Sequence, residues 1–189
     1  EYITIASTGN ATDFGDLTTY PFSSTGASSR DSLASAGNNT YGLFMGGYLH
    51  GGGSGNIIDY ITIANTGNAT DFGDLTAADH GGSAFNDATR AVYVQGTDTS
   101  MNNIEYVSIA TPGNATNFGD ASHVAFAKGS VSSPTRSVFI GGSAPAPVSG
   151  SVNIIEYNEI ATEGDSVDFG DMSATGAWIA ATSNGHGGL

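Results

Sequence analysis

The sequence contains no cysteine, only 4 Lys and Arg, a single Trp and 5 Pro in 189 residues. Each scarcity excludes something. Without cysteine there is neither a disulfide framework nor a thiolate metal site. So few cations against 18 Asp and Glu leave a formal net charge of −14. Phosphate backbones repel such a surface, so no nucleic acid is expected as a partner. No stretch approaches the roughly 18 consecutive apolar residues of a membrane span, so no membrane insertion is expected. Apolar spacing of helical period never persists beyond about two turns, and 28 glycines penalise helix further. What is present is 39% hydrophobic and 10% aromatic residues, enough apolar material for a folded core despite the glycine. The length fits one domain, at most two small ones.

The dominant feature is internal repetition. EYITIASTGNATDFGDLT (residues 1–18) returns as DYITIANTGNATDFGDLT (59–76), EYVSIATPGNATNFGDAS (105–122) and EYNEIATEGDSVDFGDMS (156–173). Tyr2, Tyr60, Tyr106 and Tyr157 are spaced by 58, 46 and 51 residues, and the Phe-Gly-Asp triplets starting at Phe14, Phe72, Phe118 and Phe169 keep that register. Between them, TYGLFMGG (Thr40–Gly47), TRAVYVQG (Thr89–Gly96) and TRSVFIGG (Thr135–Gly142) align without gaps. One unit averages about 47 residues, a period typical of solenoids and propellers.

Each unit carries strand signals only. Val138-Phe139-Ile140 is a short continuous apolar run, which predicts a strand buried on both faces. Ile154–Ala161 alternates, with Ile5, Ile63, Ile109 and Ile160 on one face and Thr4, Thr62, Ser108 and Glu159 on the other, which predicts a half-buried strand. Two shorter strands are expected, one around Phe169-Gly170-Asp171 and one around Ala125-Phe126 or Trp178-Ile179. Four short antiparallel strands per unit and glycine-rich turns predict an all-β fold of β-propeller blades, with essentially no helix. A single blade cannot bury both faces alone, so neighbouring blades must supply the partner. The expected inter-blade core is Phe44, Tyr93 and Phe139 with the four isoleucines and the Phe-Gly-Asp phenylalanines.

The apolar run ending in a glycine pair, followed by a tyrosine strand, resembles the kelch repeat, although kelch units place a Trp after the Tyr and only Trp178 is present here. The tandem TGNATDFGDLT segment is similar to the kelch-like repeats of virion structural proteins in marine tailed phages, notably cyanophages. The closing Ser183–Leu189 stretch resembles a segment of the same repeats. The likeness spans essentially the whole chain. It implies a propeller-like virion component, with a virion or extracellular location.

Candidate chemistry is sparse. Asp16, Asp74, Asp120 and Asp171 recur once per unit and could ring a rim as Ca²⁺ ligands. The alternative is that each accepts N–H bonds in its own turn. No other cofactor is expected. Asn10, Asn68 and Asn114 open Asn-Ala-Thr and Asn38 opens Asn-Asn-Thr, formally glycosylation acceptors; Gly-Asn turn chemistry accounts for the first three. His50, His80, His123 and His186 sit at unrelated offsets and read as isolated surface or loop residues. Arg90 and Arg136 are equivalent, with Tyr41 replacing them in the first unit, and are expected to bridge to an acid of a neighbouring unit. No carboxylate pair suits glycoside hydrolysis, and no Ser-His-Asp grouping stands out. No catalytic, cofactor-binding or metal-binding residue is therefore assigned.

The expected function is non-enzymatic: a structural or adhesive repeat protein, a phage virion or appendage component displaying variable loops 48–56, 97–103 and 143–153 on a constant frame. The alternative is a lectin-like propeller using the repeat tyrosines for carbohydrate stacking. The expected partners are other virion proteins or a host cell-surface glycan, within a homo-oligomer or larger assembly. The chain opens at Glu1 without Met, and its fourth unit stops before the buried strand. The expectation is a piece of a longer propeller, or a ring closed by the N-terminal strand or a partner chain's strand.

Overall fold

The computed structural model describes residues 1–18, 30–50, 53–96, 101–146 and 149–183. Among these residues there is no helix, and all strand pairing is antiparallel. The first sheet contains β1 (Arg30–Asp31), β2 (Ala34–Gly37), β3 (Tyr41–Met45), β4 (Tyr48–Leu49), β5 (Gly53–Thr62) and β6 (Thr70–Asp79). Its meander runs β2-β3-β5-β6, and β1 and β4 extend it beside the start of β5. The second sheet is β7 (Ser83–Asn86), β8 (Arg90–Val94), β9 (Asn103–Ser108) and β10 (Thr116–Asp120), paired in sequence. The third holds β11 (Gly129–Ser132), β12 (Arg136–Ile140), β13 (Ser143–Ala144), β14 (Gly150–Glu159) and β15 (Val167–Gly176), with meander β11-β12-β14-β15 and β13 on β14. Each repeat unit thus builds one four-stranded meander. The first copy of the repeat does not; residues 1–18 form only a hairpin closed by the bridge Tyr2↔Thr12, the register kept by Tyr60↔Thr70, Tyr106↔Thr116 and Tyr157↔Val167.

Local chemistry explains the elements. The turn between first and second strands is set by one polar side chain: Asn38 Oδ1 accepts the N–H groups of Thr40 and Tyr41 at 2.9 and 3.0 Å. Asp87 does the same for Thr89 and Arg90, and Ser133 Oγ for Arg136. This is local competition of a short polar side chain for backbone donors. In every fourth strand the Phe of Phe-Gly-Asp is a bulge residue: the register steps across Phe72, Phe118 and Phe169. A bulge re-aims a side chain. In the three sheets the bulged phenylalanine meets the repeat tyrosine edge-on, at 5.6, 5.9 and 6.1 Å between ring centroids, and Phe14 meets Tyr2 the same way at 5.9 Å.

The core consists of two clusters, each shared by successive sheets. One joins Leu43, Met45, Ile58, Phe72 and Leu75 of the first sheet to Ala91, Tyr93, Val107 and Ile109. The other joins Val92, Val94, Ile104 and Phe118 of the second sheet to Phe139 and Ile160 of the third. Only the second sheet is covered on both faces. Val92, Tyr93 and Val94 are all fully buried, whereas Val138 and Ile140 are half-buried, because among the described residues no further sheet covers the outer face of the third. The expectation of burial on both faces is corrected there.

The same reasoning corrects the expected core. The four equivalent isoleucines, Ile5, Ile63, Ile109 and Ile160, are 97%, 48%, 1% and 0% exposed. The phenylalanines run the opposite way: Phe72 and Phe118 are buried, but Phe169 is 57% exposed. Isoleucines face the preceding unit and phenylalanines the following one. Phe14 and Phe44 are half-buried around an open groove of about 450 Å³ between the N-terminal hairpin and the first sheet. The expected strand at Ala125-Phe126 is only an isolated bridge, Phe126↔Ser143, and Trp178-Ile179 is not a strand. The first strand of each unit is instead ASAG, SAFN or GSVS, a run of mostly small residues.

Candidate functional site

The feature that repeats is the joint between units. Gly73 (φ +148°) of Phe-Gly-Asp lies against the backbone of the next unit; a Cβ there would fall 2.5 Å from Gly113 C and 2.9 Å from Asn114 N. Only a residue without Cβ permits so close an approach. The next residue, Asp74, donates its N–H to Asn114 Oδ1 at 3.0 Å, while its carbonyl accepts the Ala115 N–H at 2.8 Å. The same joint occurs on either side. Asp16 N–H reaches Asn68 Oδ1, and Asp120 N–H reaches Asp165 Oδ1, both at 3.0 Å. Asn68 and Asn114, expected to serve as turn residues, are therefore inter-unit clasps, whereas Asn10 makes no such contact among the described residues. The repeated aspartates contribute their backbone N–H, and their carboxylates are exposed.

A second, buried clasp uses the acid preceding the repeat tyrosine. Asp59, Glu105 and Glu156 are fully buried. Each accepts from the preceding unit: Thr18 Oγ1 at 2.5 Å, the Thr76 N–H at 2.7 Å and the Ser122 N–H at 2.8 Å. Their remaining partners differ. Asp59 pairs with Arg30 at 2.8 Å. Glu105 accepts from the Gln95 amide, and burial pushes its carboxyl up against the hydrogen bonds from Thr76 and Gln95. Glu156 lies 3.0 Å from His123 Nδ1 and accepts from the Ser166 hydroxyl. Burial opposes its ionisation, but His123, Ser122 and Ser166 outweigh it and hold its carboxyl at about 2. Nearby, burial brings Lys128 down to about 8, against Glu156 and Asp79, and its ammonium lies over the Phe139 ring. The Tyr93 hydroxyl donates to Asp79 at 3.0 Å, and burial beside that acid raises its pKa. These acids are committed to holding units together.

The other sequence candidates distribute as follows. Arg90 and Arg136 stack on Tyr106 and Tyr157, 4.7 and 4.5 Å from the ring centroids. Neither bridges to a neighbouring unit's acid: Arg136 pairs with Glu159 of its own sheet, and Arg90 reaches across to the Ile160 carbonyl. Strand pairing places Glu159 directly opposite Arg136, so the nearer acid wins. Tyr41, at the same position, meets Tyr60 edge-on. His50 is an exposed partner of Asp31 at 2.9 Å, and His80 Nδ1 lies 2.8 Å from Ser54 Oγ. His123 is not an isolated surface residue, because Glu156 draws it inward. His186 lies outside the described residues. Among the described residues, no group of three or more His, Asp or Glu is arranged to hold a metal ion.

The expected variable loops fall on one connection, between second and third strands. Residues 48–56 and 143–153 partly form strand: β4 and the start of β5, β13 and the start of β14. Residues 51–52, 97–100 and 147–148 lie outside the described residues. No protein-family model and no curated protein matches the chain.

Proposed function

We propose that this chain is a non-enzymatic structural and adhesive repeat protein, a kelch-like propeller segment of a phage virion or appendage that displays variable loops on a constant frame. One observation carries the reading: within the sheets, length varies at one connection only. The turn between first and second strands spans three residues in each sheet (38–40, 87–89, 133–135), and that between third and fourth spans seven (63–69, 109–115, 160–166). Between second and third strands, the paired residues Met45↔Ile58, Val94↔Ile104 and Ile140↔Ile155 are separated by 13, 10 and 15 positions. Recognition concentrates on loops held by a rigid scaffold. The repeat tyrosines meet their own phenylalanines edge-on, so carbohydrate recognition of the lectin kind would also fall to these loops.

The test is binding of the purified chain to host cell envelopes and to a glycan array, alongside a chimera in which residues 143–153 are replaced by residues 97–103. The reading predicts binding that changes with the graft while strand content by circular dichroism does not. Binding indifferent to the graft, or none to any envelope or glycan, overturns it.

A further inference from the structure

We propose that the first unit carries a binding site for a neutral sugar, built around Tyr48 in its variable connection. The proposal deepens the display reading, on which it rests for the premise that these connections recognise an exterior surface.

Strand pairing brings Asp31, Tyr48, His50, Ser54 and His80 together. Across β1, β4 and β5, Asp31 lies opposite Tyr48 and Tyr48 opposite Ser54. β6 ends at Asp79, opposite Gly55, which carries the following His80 alongside Ser54. Specific contacts fix the group. A carboxylate only accepts, so the His50 Nε2–H donates to Asp31 Oδ2, at 2.9 Å. His80 Nδ1 lies 2.8 Å from Ser54 Oγ. The Tyr48 ring meets both imidazoles at steep angles, 90° to His50 and 70° to His80, with centroids 6.2 and 5.3 Å apart. Tyr48 is nevertheless 41% exposed, and Asp31 and His50 are exposed with it.

The frame does not require these residues. In the third unit the pairing equivalent to Asp31↔Tyr48 is Phe126↔Ser143, and Ser143 pairs with Ser151 as Tyr48 pairs with Ser54. The Gly47 N–H is accepted by the Asp79 carbonyl and the Gly142 N–H by the Gly176 carbonyl, which makes Ala177 the counterpart of His80. The same backbone therefore stands on Phe126, Ser143 and Ala177, without imidazole or carboxylate. A tyrosine that packing does not demand offers a large, stiff, amphipathic contact at low entropic cost. A pyranose complements it: the C–H face packs on the aromatic ring, and hydroxyls that both donate and accept suit carboxylate, imidazole and hydroxyl neighbours. A protein partner engages roughly 20–30 residues a side, whereas this patch matches one or two sugar rings. The formal net charge of −14 repels an acidic sugar and leaves a neutral one as the ligand class.

Titration calorimetry and NMR of the tyrosine and histidine rings test this on the full chain. The probes are free glucose, galactose, mannose, N-acetylglucosamine and their oligosaccharides, with sialyllactose as the acidic comparison. A neutral sugar is expected to bind and to shift the ring signals of Tyr48, His50 and His80, and sialyllactose to bind more weakly. Tyr48→Ala is expected to weaken that binding about tenfold, and Tyr48→Phe, which keeps the ring, by less than about threefold. Tyr48 is exposed, and circular dichroism establishes that each variant folds. Replacing residues 143–153 by residues 97–103 is expected to leave the sugar affinity unchanged while altering attachment to envelopes. A sugar bound equally well by Tyr48→Ala, tighter binding of sialyllactose, or envelope binding with no sugar bound overturns the site and leaves the display reading standing. Binding to neither envelope nor sugar overturns both.

Discussion

Two glycines of identical motif make a controlled experiment. Gly73 and Gly170 both precede the repeat aspartate, with φ of +148° and +139°. An alanine at either must accept a backbone conformation costing about 1–3 kcal/mol. At Gly170 that is the whole cost, since its Cβ enters open space. At Gly73 the Cβ falls on the Gly113 carbonyl and 2.9 Å from Asn114 N, so backbone rather than a pliable side chain must retreat. Retreat breaks the Asp74 N–H bond to Asn114 and the Ala115 N–H bond to Asp74, each worth about 1 kcal/mol net. Gly73→Ala is therefore expected to lose roughly 2 kcal/mol more than Gly170→Ala, a further fall of about 4–8 °C in Tm for a chain of this size. Thermal and urea unfolding of both variants, followed by far-ultraviolet circular dichroism at concentrations where the chain is monomeric, measure the difference. Equal losses would place the cost in φ alone and refute the claim that the glycine serves the joint.

Further outcomes follow from the same contacts. Asn114→Ala, which removes the acceptor for the Asp74 N–H, is expected to cost about 1 kcal/mol in urea unfolding, whereas Asn10→Ala, whose side chain accepts no such bond among the described residues, leaves stability within about 0.5 kcal/mol of wild type. Glu156 provides a pH signature. Its folded carboxyl sits at about 2, below the unfolded value of 4.5, so its contribution is complete above the unfolded value and disappears as pH falls towards 2. The gap between wild type and Glu156→Gln, on the order of 3 kcal/mol at neutral pH, is expected to close over that window; a gap independent of pH contradicts the assignment. Glu105 is shifted upward instead, so Glu105→Gln is expected to cost less than Glu156→Gln in urea unfolding at pH 7, and the reverse order would contradict the two opposite shifts.

What the sequence disclosed, and what it hid, follows from the size of the signals. The second, third and fourth strands were legible because YGLFM, IEYVSI and the Phe-Gly-Asp segment carry large apolar residues at strand spacing. The first strand was not: ASAG and GSVS hold no such pattern. The first strands of successive units lie close enough for the Asn86 amide to reach the Gly37 carbonyl, which favours small side chains. The acid before each of the later three repeat tyrosines carries no apolar signal, yet Asp59, Glu105 and Glu156 are fully buried; their recurrence at one offset was the available signal. The clasp of Asn68 and Asn114 was hidden because Gly-Asn is equally a turn pair, and only the placement of the preceding unit's Asp N–H distinguishes the two roles. End effects lie outside sequence pattern altogether: Ile5 and Ile160 occupy the same motif position, and only the presence of a neighbour separates them.

The central claim is that successive units dock through one repeated joint, and hydrogen exchange tests it most directly. The N–H groups of Asp16, Asp74 and Asp120 are each accepted by the following unit, whereas Asp171, opposite Ile154 as Asp74 is opposite Ile57, meets no such acceptor among the described residues. Residue-resolved exchange on the dilute monomer is predicted to show the first three protected and Asp171 exchanging near the rate of an open amide. Equal protection at all four, or at none, would contradict it.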